Sequence, residues 1–367
     1  MNRREFLGTS LAATTALALP STALFHRVAA GPKNVLILGG TLFLGPQIVE
    51  AAVAVGHHVT LFNRGITNPN LFPHLEKLRG LRSSNAAEEN WQSLGRREWD
   101  VVVDVWPNDP ALAESAARIL RDRVGQYLYV SSIAAYDNQG FAEPGLAEDG
   151  ELTAWNSSAR FYNRGKAESE RRLRALIGDR LTIVRPAGIK GQRDDSPDLL
   201  TWLRRARDGG RHIAPGTGDT YVQLVDVKDV ARFLVLAIDR SLYGTFNLAG
   251  DPMTFQQFLD RCKAATDSTA EFVWVPQEFL HQQGLDPDPA VFPSDKFPFW
   301  HPEPARRGFY RISNRKAVDA GWTQRPFTET ALDSLWWMDA LGPGVVQWAD
   351  PLPPEVEQLV LSRWGAR

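Results

Sequence analysis

Residues 34–45 read NVLILGGTLFLG, an uninterrupted apolar run that ends in Gly39 and Gly40, with Gly45 following five positions later. No other stretch constrains the fold as tightly. An apolar run of strand length without polar alternation belongs to a strand covered on both faces. The next segment, PQIVEAAVAVG, carries helical periodicity and stops at Gly56. A buried strand, a glycine turn and a helix make the first half of a βαβ unit. The turn itself has two readings. Its N–H groups and the positive helix end can cradle a phosphate, or the glycines simply allow a tight turn and a close helix contact.

The alternation continues. HVTLF (58–62), DVVVDV (100–105), QYLYV (126–130) and LTIVRP (181–186) read as strands, and 111–123 and 160–177 read as helices. Strands that alternate with helices predict an α/β fold, a Rossmann-like doubly wound parallel sheet with helices on both faces. From about residue 190 loops rich in Gly and Pro interrupt the pattern. PGTGDTYVQLVDVKDVARFLVLAI (215–238) is expected to return a strand and a helix to the main sheet.

Residues 1–30 read as a leader. Arg3 and Arg4 precede an apolar stretch from Leu11 to Leu24, and Val28, Ala29 and Ala30 offer a small-residue exit. Those features in that order predict a twin-arginine export signal, and so a periplasmic or extracellular destination. Beyond it no stretch approaches the roughly 18 apolar residues of a membrane span. Loss of Arg3, Arg4, Glu5 and Arg27 takes the formal charge from −2 to −4. A mildly acidic chain makes a poor polyanion binder, so no nucleic-acid partner is expected. The single cysteine, Cys262, reads as a small core residue, and the seven histidines show no metal-ligand spacing.

In YLYVSSIAAY, Ser131 and Ser132 close an apolar strand, and FYNRGKAESE then sets Tyr162 and Lys166 four apart on a helix. That spacing puts both side chains on one helical face. An ammonium beside a phenol lowers its pKa from about 10 and fits it for acid–base work near neutrality. By itself, Tyr-x-x-x-Lys is common on solvated helix faces. Its place after a strand ending in Ser-Ser makes it more specific.

With these motifs the chain resembles the extended and atypical short-chain dehydrogenase/reductase family, the NAD(P)-dependent sugar epimerases and dehydratases. GGTLFLG, HHVTLFNRG, VSSIAAY, YNRGK, IVRPAGIKG, VQLVDVKDVAR, GTFNLAG and AVDAGWTQRPF fall in the family's order. The resemblance implies Ser132, Tyr162 and Lys166 as catalytic residues. It implies Gly39, Thr41, Leu42, Phe43, Leu44, Gly45, Asn63, Arg64, Val105, Tyr162, Lys166 and Pro186 as cofactor-binding residues. Two departures bear on the cofactor. Leu42 stands where epimerases usually carry a middle glycine, as in the Gly-Gly-Thr-x-Phe-x-Gly variant of atypical members. Asn63, followed by Arg64, stands where NAD-binding members carry an acid. An acid repels a 2′-phosphate and an arginine pairs with it, which leans towards NADP over NAD; Arg64 reads equally as an exposed turn residue. Leu81 occupies the place of the family's adenine-side aspartate.

The resemblance also implies a division of the chain. A dinucleotide-binding part spans 31–190 and is completed by about 220–248. A small interleaved C-terminal substrate lobe takes 191–219 and 249–342, and 343–367 is an extension. Within 284–311, Phe297, Phe299, Trp300 and Tyr310 either stack on a sugar ring or pin the segment down, and Arg306 and Arg307 are placed to meet an anion. Trp336 and Trp337 read as core. The expected chemistry is hydride transfer at a sugar or polyol hydroxyl, with a small carbohydrate-like substrate and a tightly bound NADP or NAD. Export favours a redox-neutral epimerisation or dehydration over net reduction. A noncatalytic, dinucleotide- or RNA-binding member is the alternative, and a homodimer through 111–123 and 160–177 is implied by the family.

Overall fold

The computed structural model describes residues 31–84, 91, 93–105, 109–285, 296–301, 307–341 and 352–366. The leader with Arg3 and Arg4, together with Arg306 and residues 343–351, lies outside the described residues. The strands are β1 Asn34–Leu38, β2 His58–Asn63, β3 Glu76–Arg79, β4 Trp99–Asp104, β5 Val124–Val130, β6 Leu181–Pro186 and β7 Gly188–Lys190. They continue as β8 Arg211–Pro215, β9 Tyr221–Val222, β10 Leu224–Asp226, β11 Gly244–Leu248, β12 Met253–Thr254 and β13 Glu271–Val275. The helices are α1 Leu44–Ala54, α2 Pro110–Leu120, α3 Phe161–Ile177, α4 Pro197–Asp208 and α5 Val227–Arg240. After them come α6 Phe255–Ala265, α7 Gln277–Gln282, α8 Arg315–Asp319, α9 Phe327–Leu341 and α10 Pro354–Gly365.

Seven strands form one sheet in the order β11-β6-β5-β4-β1-β2-β3. Every neighbouring pair is parallel. Successive side chains of β1 point to opposite faces. Val35 and Ile37 pack with Ile48 of α1 and Leu234 of α5, whereas Leu36 and Leu38 pack with Ala117 of α2 and Leu173 of α3. Both faces are covered, which is why NVLIL shows no alternation. Strand order reverses between β1 and β4, and in open α/β sheets ligands bind in the crevice at that switch point.

Residues 221–226 do not return to the main sheet as expected. They form β9, which pairs with β12, and β10, which pairs with β7. Asp226 stops the strand by accepting from the Lys228 amide at 2.7 Å and so capping α5. The return is made by α5, which packs beside α1, and by β11, which pairs with β6.

A third hydrophobic cluster joins α4, α6, α9 and the segment at 296–301. Phe297, Phe299 and Trp300 are buried there, Tyr310 is 8% exposed, and Trp202 Nε1 donates to the Pro298 carbonyl at 2.8 Å. These aromatics pin the segment into the core, so the stacking reading of them falls; Arg307 is exposed. The core reading of Trp336 also falls, since it is 59% exposed on the outer face of α9. Trp337 is half-buried beneath the Arg193 guanidinium, 4.9 Å from its ring centre. Cys262 is buried, and burial pushes its thiol well above the usual range. Among the described residues no helix is long and apolar enough to cross a membrane. Among them, no group of three or more His, Cys, Asp or Glu could hold a metal ion.

Candidate active site

Gly39 and Gly40 follow β1 with φ of +120° and +97°, a region that L side chains rarely adopt. A Cβ at Gly45, in the first turn of α1, would lie 2.5 Å from the Cα of Gly40. The glycines therefore bring the loop backbone directly onto the start of the helix. No side chain caps α1 at Phe43 and no acid stands in its first turn, so the first N–H groups remain available to an anion. Thr41 and Leu44 are buried, Phe43 is half-buried and Leu42 is exposed. Val105, just past β4, closes the other side of the crevice: its Cγ2 would lie 2.9 Å from a Cβ on Gly39. Pro186 is buried at the end of β6, two sheet positions beyond β4. Open backbone donors and a helix N-terminus at the switch point fit the pyrophosphate of a dinucleotide.

Two asparagines hold this loop. Asn63 Nδ2 donates to the Gly39 carbonyl at 3.2 Å, and Asn68 Nδ2 donates to the Thr41 carbonyl at 2.7 Å. Sequence reasoning missed Asn68, although its place in TNPN, a turn-type cluster, is the local signal. Arg64 is exposed beside Asn63.

Ser132, Tyr162 and Lys166 converge at the ends of β5 and α3. Ser132 caps a short 3₁₀ turn by accepting from the Ala134 amide at 3.1 Å. Its hydroxyl also meets the Tyr162 hydroxyl, and that bond draws the phenol pKa down while burial pushes it up more strongly. The residue as a whole is 41% exposed. Lys166 is buried; its ammonium donates to the Val130 carbonyl at 2.8 Å and lies 5.9 Å from the centre of the Tyr162 ring. The expected lowering of the tyrosine pKa by the lysine is therefore not met. Burial dominates at Tyr162, and the ammonium is spent on a backbone carbonyl. Burial also lowers Lys166 itself to about 8, against the pull of Asp104 and Glu170.

Those two carboxylates were missed. Asp104 ends β4 fully buried, paired with Arg82, and accepts from the Tyr127 hydroxyl at 2.9 Å. Burial raises its carboxyl, opposed by Arg82. An acid closing the apolar run DVVVD was the available signal. Glu170 lies one helical turn beyond Lys166. It accepts from Ser131 Oγ at 2.6 Å and from Arg185 Nε and Nη2 at 2.9 and 2.7 Å. Two buried carboxylates thus offset the charge of a buried lysine.

The family model described as NAD dependent epimerase/dehydratase matches residues 35–249, which contain the glycine loop, Ser132, Tyr162 and Lys166. The chain belongs to the NAD dependent epimerase/dehydratase family. It is 30% identical over 273 residues to the chloroplast stem-loop binding protein of 41 kDa b of Arabidopsis thaliana, covering 68% of each chain. It is 26% identical over 268 residues to 2′-dehydrokanamycin reductase of Streptomyces kanamyceticus, covering 68% of this chain and 71% of that one. Among solved structures it is similar to the Bordetella bronchiseptica enzyme WbmG in complex with NAD and UDP, with a TM-score of 0.62 and 17% identity over 87% of this chain and 99% of the other. At that identity the likeness establishes the fold. The relatives named here are a stem-loop binding protein and a reductase.

Proposed function

We propose that this chain is an NAD(P)-dependent enzyme that moves hydride at a hydroxyl-bearing carbon of a sugar or polyol. The convergence of Ser132, Tyr162 and Lys166 beside the glycine crevice carries the reading. Gly39, Thr41, Leu42, Phe43, Leu44 and Gly45 would hold the pyrophosphate, with Asn63 and Arg64 at the adenosine end and Val105, Lys166 and Pro186 towards the nicotinamide. When bound, the nicotinamide supplies the hydride acceptor and donor. Tyr162 is the proton-transfer group: it takes the hydroxyl proton as hydride leaves the carbon and returns it to the carbonyl oxygen as hydride comes back, and burial, which raises its pKa, favours the protonated phenol between those steps. Ser132 orients that phenol and shares the same oxygen. The UDP held by the Bordetella enzyme supports a carbohydrate-like substrate.

The leader, read as a twin-arginine signal, supports export of a folded protein with its cofactor already loaded. A redox-neutral epimerisation or dehydration then needs no second redox partner, and it ranks above net reduction. Arg64 favours NADP over NAD. Denaturing the purified protein and identifying any released dinucleotide by mass tests the reading directly: a protein that releases none and binds neither NAD nor NADP overturns it. Export is tested separately by Arg3→Lys with Arg4→Lys, which should leave the precursor inside the cell; normal export of that variant removes the twin-arginine reading. The Arabidopsis relative motivates one other outcome. Retention on heparin at low salt, with no dinucleotide, would favour a stem-loop binder.

A further inference from the structure

We propose that Arg79, on the edge strand β3, recognises the 2′-phosphate of NADP, so that cofactor choice is set from the third strand. The inference rests on the dinucleotide reading above. In dinucleotide-binding folds of this kind the end of the second strand meets the adenosine ribose, and an acid there takes its hydroxyls. Here that place is Asn63, and both ends of its amide are already engaged. Its Nδ2 is committed to the Gly39 carbonyl at 3.2 Å, and its Oδ1 accepts from the Gly65 amide at 2.9 Å and from Arg79 Nη1 at 2.8 Å. Asn63 therefore acts as a bracket. It ties the Arg79 guanidinium to the glycine loop.

The strand register makes this possible, since Asn63 and Arg79 are direct partners across β2 and β3. Gly65 keeps it possible: a Cβ there would lie 2.3 Å from Arg79 Nη1 and 2.7 Å from its Cζ, and Gly65 sits at φ +76°. The guanidinium thus packs directly against the Gly65 backbone, and a side chain there would displace it. Among the described residues no carboxylate pairs with Arg79, and both Arg79 and Arg64 are exposed. A guanidinium carries five N–H donors, of which one is spent on Asn63. Four donors remain on an exposed side chain next to the end of β2, where a dianionic phosphate would gain charge-assisted bonds.

Calorimetric titration of the full chain with NADP and with NAD tests this. Arg79→Ala should weaken NADP by roughly 10- to 100-fold and leave NAD unchanged. Arg79→Gln keeps a donor for Asn63 without the charge and should show the same selective loss, which guards against a misfolded alanine variant. Equal loss of both nucleotides, an unchanged preference, or a parent protein that prefers NAD overturns the proposal while leaving the dinucleotide site standing. A parent protein that binds neither nucleotide overturns the dinucleotide reading as well.

Discussion

The ammonium of Lys166 lies 5.9 Å from the centre of the Tyr162 ring, beneath its face rather than at its hydroxyl, and donates instead to the Val130 carbonyl. The partner that does reach the hydroxyl is Ser132. In this arrangement burial, more than any charge, sets the phenol's pKa and raises it. Lys166 lies too far below the ring to pair with that hydroxyl.

Tyr162→Phe should keep the protein folded and its dinucleotide content unchanged, yet lower turnover by roughly 10² to 10⁴-fold, the scale of a positioned proton-transfer group. Ser132→Ala should cost less, because it removes one bond to the phenol and leaves the phenol in place. Cofactor content by mass and turnover measured side by side check both. Full activity in the phenylalanine variant removes Tyr162 from the mechanism.

Burying Lys166 carries a cost that depends on pH. Its pKa is about 8 in the folded chain against 10.5 when solvated. Below pH 8 both states are charged and the full burial cost is present. Between about 8 and 10.5 only the unfolded chain keeps the proton, so stability from this residue rises with pH, by on the order of 3 kcal/mol in all. Lys166→Met should therefore unfold at higher urea than the parent protein at pH 7, with the gap narrowing by pH 10. A variant less stable at both pH values would show that the Val130 bond and the fields of Asp104 and Glu170 outweigh burial.

What could be read from the sequence was whatever is written locally. NVLIL, the glycines and LTIVRP each state their own structure through period, length and breaker residues, and Tyr162 with Lys166 share a face by helical spacing alone. β3 was not so written: EKLR is charged and short, and it is a strand because β2 offers it an edge. The roles of Asp104 and Glu170 depend on a lysine more than sixty and just four residues away respectively, and only folding reveals the first of these. Trp336 misled for the opposite reason. A tryptophan in a helical run is usually core, yet α9 turns that face outward.

Gly45 tests the crevice itself. Its Cβ would meet the Gly40 backbone at 2.5 to 2.9 Å, and backbone cannot rotate away as a side-chain end can. Gly45→Ala should push the loop off α1. Dinucleotide affinity should then fall by at least 10-fold, the loss expected when backbone N–H groups no longer converge on a phosphate. Titration with NAD and NADP, alongside a thermal melt, separates loop displacement from unfolding. Undiminished affinity would mean that the pyrophosphate does not use this loop.

The last helix provides a pH test far from the crevice. Glu357 of α10 is buried, accepts from the Ile213 amide at 2.8 Å and meets His212 Nδ1 at 3.1 Å, with Arg205 3.5 Å away. Burial works against a charged His212, but the bond and field of Glu357 outweigh it and raise the imidazole above its usual 6.5. A raised histidine contributes stability that is complete below the unfolded value and is lost as pH climbs through the folded one. The His212 component should therefore fade as pH rises above 6.5, so that the parent's margin in urea over His212→Gln is largest at pH 6 and shrinks as the pH is raised. Glu357→Gln removes the partner and should abolish that component altogether, at a larger overall cost, because Arg205 then lacks its buried carboxylate. Identical pH profiles for the parent and His212→Gln would show that the imidazole is neutral and that the charge of Glu357 is met by the Ile213 amide and Arg205 instead.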